Sequence, residues 1–133
     1  MDLKTQLNGL NRYLSLVYGV PISLSMLLAK MGFTEDQLRL LHRDHVDEIT
    51  NSFIGLLRGQ TVRGRLDDRD YTIVCRRFGL DGRPPETLQV IGDRLGITRE
   101  RVRQLEKKSI RRQRHTVRRR ALEQGLYDLA NGL

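Results

Sequence analysis

Cysteine, proline and tryptophan are nearly missing from this sequence, at one, three and none in 133 residues. The lone Cys75 excludes an intrachain disulfide and a multi-cysteine metal site, and it fits a reducing cytoplasm. Alternating β-branched runs are missing too, while helix formers dominate, so the expected fold class is all-α. The longest uncharged run, residues 13–29, falls short of the ~20 residues of a spanning helix. Gly19-Val20-Pro21 interrupts it, serines dilute it, and no cleavage pattern follows a basic start. Two packed amphipathic helices are expected there, with no membrane contact.

Catalytic signatures are also lacking. There is no Gly-rich phosphate loop, no nucleophile–base pair at local spacing and no carboxylate cluster in an apolar context, so neither an enzyme nor a cofactor is expected. Asp67, Asp68 and Asp70 read as helix-start residues, and Cys75, beside Val74, as packing. His42 and His45 approach metal-ligand spacing, but no third or fourth ligand lies nearby in sequence.

What is present is positive charge, gathered in one place. The chain carries +8 in all, and residues 98–120 hold eleven Lys/Arg against only Glu100 and Glu106. A concentrated basic segment on a near-neutral body points to a polyanion-binding face.

Apolar spacing predicts a first helix over 3–18, with Leu3, Leu7, Leu10, Leu14 and Val17 on one face. Ser23 caps a helix from Leu24 to Lys30, which Gly32 ends. Thr34 caps a third helix running towards Arg58, with Glu35 and Asp36 favourable to its dipole. Its apolar series is Leu38, Leu41, His45, Ile49, Phe53 and Leu56 or Leu57, weakened near the end by Gly55. GQTVRGR (59–65) is the expected linker between an N-terminal helical unit, 1–58, and a second unit, 66–133. There Asp67 or Asp68 caps a helix through Phe78 with Tyr71, Val74, Cys75 and Phe78 inward. A rigid turn follows at Asp81-Gly82-Arg83-Pro84-Pro85.

The strongest motif is TLQVIGDRLGITRERVRQLEKKSI (87–110). Thr87 caps a helix with Leu88, Ile91 and Leu95 on one face, and Gly96 stops it in a left-handed turn. Ile97 anchors the turn. Thr98 then caps a second helix with the stripe Val102, Leu105 and Ser109. Opposite stand Arg99, Glu100, Arg103, Gln104 and Lys107, which together make a helix-turn-helix. The second helix is expected to run on into Arg111–Arg120. The tract RRQRHTVRRR is expected as a solvated extension or a frayed one, before a short last helix with Leu122, Leu126 and Leu129.

At a constant offset of 64, SLSMLLAKMGFTEDQLRLL (23–41) aligns without gaps on TLQVIGDRLGITRERVRQL (87–105). The expected architecture is therefore two tandem helix-turn-helix-like units. Glu35 and Asp36 stand where the second unit has Arg99 and Glu100. Two carboxylates at that end repel phosphate, so the first unit is expected to meet protein or to dimerise.

The runs LDDRDYTIVCRRFGLDG (66–82) and TLQVIGDRLGITRERVRQLEKKSIRR (87–112) together resemble region four of the primary-type bacterial sigma factors, over about residues 66–115. The resemblance implies reading of a −35-type promoter element and docking on the β flap of bacterial RNA polymerase. By position, Arg99, Glu100, Arg103 and Gln104 would face base edges, and Thr87, Arg101, Lys107, Lys108, Arg111 and Arg112 the DNA backbone. The chemistry agrees: arginine bonds guanine bidentately, glutamate accepts from cytosine N4, and glutamine pairs with adenine. Gln113 replaces an apolar residue usual in the family, so the end of that helix is expected to pack less well, and Lys107 and Ser109 replace small apolar residues. Residues 1–60 resemble none of the segments that melt DNA at the −10 element or bind the polymerase clamp. Beginning with Met1, the chain is expected to be whole and to need help in initiating transcription.

The leading expectation is a cytoplasmic, nucleoid-associated sigma-like transcription factor. It binds double-stranded DNA, polymerase or both, while residues 1–58 meet a partner, either a second sigma-like polypeptide or another copy. The alternatives are an adaptor or decoy on the β flap or an anti-sigma protein without specific DNA reading, and a dimeric helix-turn-helix repressor.

Overall fold

A computed structural model describes residues 2–60 and 68–133, and of residues 59 and 60 the backbone alone. Among these residues there are seven helices and no strand, an all-α fold. Helix α1 spans Leu3–Tyr18, α2 Leu24–Lys30, α3 Glu35–Gln60, α4 Asp68–Phe78, α5 Leu88–Leu95, α6 Arg99–Gln113 and α7 Thr116–Asn131. Of the expected linker, residues 59 and 60 end α3, and 61–65 lie outside the described residues, as does Asp67.

The two helix-turn-helix-like units keep the offset read from the sequence. Ser23 caps α2 by accepting from the Met26 N–H, and Thr87 caps α5 by accepting from the Val90 N–H. Gly32 (φ 100°) and Gly96 (φ 70°) turn the chain with positive φ, which a side chain rarely tolerates. The Phe33 N–H then bonds the Leu28 carbonyl at 3.2 Å, and the Ile97 N–H bonds the Gly92 carbonyl at 3.0 Å, the same bond in both units.

Two cores hold these helices. The larger joins α1, α2 and α3 to Val74 and Phe78 of α4, to Leu80, and to Leu122, Leu126 and Ala130 of α7. The smaller lies inside the second unit and comprises Ile73, Ile91, Val102 and Leu105. Helix α4 therefore serves both, one side to each. Tyr71 and Cys75, expected inward, are only half-buried, whereas Ile73 and Asp70 are buried. The reason is that α4 packs between two partners, so a face that looked outward-facing meets α5 and α6.

Helix α1 closes on α4 at Gly9, where an added methyl would overlap the Phe78 carbonyl. Nearby, the Gln6 amide donates to the Leu80 carbonyl at 3.0 Å, and the rings of Tyr13 and Phe78 meet edge to face at 5.5 Å. In α3, Thr50 is fully buried and donates to the Val46 carbonyl. His42 is exposed while His45 is half-buried, its Nδ1 3.1 Å from Glu48 Oε1.

The end of the chain departs from expectation. Helix α6 stops at Gln113, and α7 is a 16-residue helix rather than a short one. Most of the tract expected to extend α6 belongs to a tight elbow and the start of α7. The turn lets Leu122 and Leu126 reach the core beside α3. Gln113, expected to pack poorly, is buried at 2 % exposure.

Candidate nucleic-acid interface

Helix α6 is fixed from beneath. Val102, Leu105, Ser109 and Gln113 form its buried stripe, and the Thr98 hydroxyl accepts from the Arg101 N–H at its start. Ser109 adds nothing to the outer face, since it donates to the Leu105 carbonyl at 2.8 Å. The turn before α6 is tight because a Cβ on Gly92 would stand 2.7 Å from the Ile97 carbonyl oxygen. Helical spacing then sorts the outer residues into a central row and two flanks. Glu100, Gln104, Lys107 and Arg111 form the central row, all exposed. Arg99 and Arg103 stand on one flank, exposed, and Arg101, Lys108 and Arg112 on the other, with Lys108 and Arg112 half-buried.

Of the expected base-reading residues, Arg103 and Glu100 are bonded to each other. Arg103 donates to Glu100 through Nη2 at 2.7 Å and through Nε at 2.9 Å. This guanidinium holds the Glu100 carboxyl below the usual carboxylate range, and the carboxylate raises Arg103 in turn. Gln104 accepts from Arg101 Nη1 at 3.4 Å. Of the residues expected at phosphates, Thr87 lies apart at the start of α5, its hydroxyl engaged in capping.

An ionic network that the sequence did not disclose sets the unit's shape. Glu86, just before α5, accepts from Arg76 Nη1 at 3.1 Å, and its other carboxylate oxygen lies 3.5 Å from Arg94 Nε. Arg77 reaches both the Glu86 carbonyl, at 3.3 Å, and Glu106 Oε1 of α6, at 3.3 Å. These pairs join α4 to both helices of the helix-turn-helix. The separations along the chain, ten residues for Arg76–Glu86 and 29 for Arg77–Glu106, exceed any local rule, so no spacing signal announces them.

The first unit presents a different edge. At the position of Arg99 and Glu100 it exposes Glu35 and Asp36, the latter 3.4 Å from Arg39. Among the described residues, no group of three His, Cys, Asp or Glu is placed to hold a metal. No helix among them is long and apolar enough to cross a membrane.

Comparison with known families bears on this geometry. Residues 64–115 match the family described as Sigma-70, region 4. No solved structure matches the chain. Over those residues the second unit is similar to a sigma-70 region 4 helix-turn-helix domain. The match supports a sigma-region-4-like DNA-binding, RNA polymerase-associated role in transcription for this segment, in a domain family that is non-enzymatic.

Proposed function

From the similarity of residues 64–115 to sigma-70 region 4, we propose that this protein reads a −35-type promoter element with Arg99, Glu100, Arg103 and Gln104. The observation that carries the reading is the outer edge of α6, four exposed hydrogen-bonding side chains on a helix anchored by its buried stripe and its Thr98 cap. Helix N-terminal residues enter the major groove first, and these four lie in the first turns. Thr87, Arg101, Lys107, Lys108, Arg111 and Arg112 serve the phosphates. The protein acts with RNA polymerase at the β flap, and its acidic first unit, residues 1–58, meets a protein partner.

The test is binding to duplexes with and without a −35-like sequence, at two salt concentrations. Arg103→Ala and Gln104→Ala are expected to remove ~1–3 kcal/mol of discrimination each. Lys108→Ala is expected to weaken all duplexes alike and lower the salt slope by roughly one. A sequence preference that survives both alanine variants sinks base reading by this edge.

The Arg103–Glu100 pair favours a second reading, because both groups are satisfied without DNA. In it the chain is an adaptor on polymerase that reads no sequence. Polymerase capture with no preference among duplexes is its signature.

A further inference from the structure

Beside the recognition helix runs a trough that the reading edge does not explain. The end of α1 and the Gly19–Pro21 turn form one wall, and the Arg103 flank of α6 forms the other. Two adjoining hollows of about 900 and 370 Å³ share Leu16 and Arg114. Arg114 lines both hollows, donating from Nε and Nη2 to the Leu16 carbonyl at 3.1 and 2.7 Å. That cation satisfies a carbonyl at the end of α1 and fixes the two walls together.

Its lining has two characters. The floor is apolar and open to solvent, with Leu16 43 % and Val20 50 % exposed, joined by Pro21 and the half-buried Ile110. The rim is basic, with Arg12 at one end and Arg103, Lys107 and Arg111 along α6. The acid in the lining, Glu106, is already held by Arg77 at 3.3 Å. A phosphate backbone has nothing to offer an apolar floor. A helix with apolar residues on one face and carboxylates beside them complements both parts.

We infer that this trough docks an acidic amphipathic helix of a partner protein, and that the docked helix and promoter DNA exclude one another. Exclusion follows because Arg103 and Lys107 belong to both surfaces. An incoming carboxylate takes the place of Glu100 on Arg103, and the helix body covers the flank that faces DNA. The exclusion rests on the reading edge proposed above, whereas the docking does not.

The probe is a fluorescein-labelled synthetic helix of about 18 residues, with leucines at i, i+3, i+4 and i+7 and glutamates on the remaining faces. Its controls are a scrambled peptide of equal composition and a version with lysine for glutamate. On the full chain, without DNA, the striped acidic peptide is expected to bind at least about tenfold more tightly than either control. Leu16→Glu, at an exposed position, is expected to weaken it about tenfold while helix content by circular dichroism and duplex binding are retained. The same peptide is expected to displace duplex from the natural chain, and to need about tenfold more to do so from Leu16→Glu. Equal binding of the scrambled peptide, indifference to Leu16→Glu, or binding of anionic vesicles in place of the peptide overturns the docking. Peptide and duplex bound together overturn the exclusion. A chain that binds the peptide but prefers no duplex sinks the promoter reading and the exclusion, and leaves the docking standing.

Discussion

Arg103 gives Glu100 two of its nitrogens, and the pair lies in water on the outer face of α6. Such a pair adds little to stability, because solvent screens both charges. Its effect is on geometry, since it parks the guanidinium along the helix surface. Glu100 is accordingly expected to titrate below an ordinary glutamate by NMR, and to return towards the ordinary value in Arg103→Ala. An unshifted Glu100 means that the pair does not persist in solution. The types and spacing of these two residues were legible in the sequence, because i and i+3 share a helix face. Glu86 was not legible, since its partners Arg76 and Arg94 approach only once α4 and α5 have packed. Gly9 was hidden for the same reason. A glycine within a helical run reads as a weak point until its neighbour is the Phe78 backbone.

At the scale of elements, the two units start their second helices differently. Thr34 and Gln37 cap each other, the Gln37 N–H bonding the threonine hydroxyl at 3.2 Å and the Thr34 N–H the glutamine oxygen at 2.8 Å. Arg101 stands at the matching position of α6, where Thr98 caps alone. Thr98→Ala is expected to cost ~1 kcal/mol in denaturant unfolding, an ordinary N-cap loss. Thr34→Ala is expected to cost at least as much, because the reciprocal bond loses its geometry as well. Equal stability of both variants and the natural chain contradicts the caps as drawn. The helix starts were readable because cap, glycine and apolar spacing agree within a few residues. The break between α6 and α7 was not. Nothing in Arg114-His115 stops a helix by propensity, and His115 makes no side-chain cap. The turn is held by the Arg114 contact with Leu16, 98 residues earlier, and by the docking of α7 beside α3.

At the scale of the whole molecule, Tyr13, Tyr18, Tyr71 and Cys75 ionise at high pH and sit in or against the packed helices. Burial raises the Tyr13 phenol, burial and a 2.9 Å bond to Glu123 raise Tyr18, burial pushes Tyr71 up to about 12, and burial raises the Cys75 thiol. Each raised value means that the folded chain keeps its proton longer than the unfolded chain does. The stabilisation is therefore complete below the unfolded values, ~8.5 for cysteine and ~10 for tyrosine, and is lost as pH climbs above them. Stability is expected to fall from about pH 9 upward, by up to ~1.4 kcal/mol per pH unit for a buried phenol above its unfolded value. Tyr13→Phe is expected to flatten the loss above pH 10, where Tyr13 ionises in the unfolded chain only. A Tyr13→Phe chain with the same alkaline slope rejects this assignment.

By itself the sequence determined the helical class, the two helix-turn-helix units at their offset of 64, the caps and glycine turns, and the polar outer edge of α6. All of these follow from periodicity and short-range stereochemistry, which act within a few residues. Only the tertiary structure decided that α4 serves two cores, that α6 stops at Gln113, and that the end of α1 lies against the recognition helix. Those features depend on apolar surfaces and charges distant in sequence finding each other, a choice that packing makes and local propensity does not.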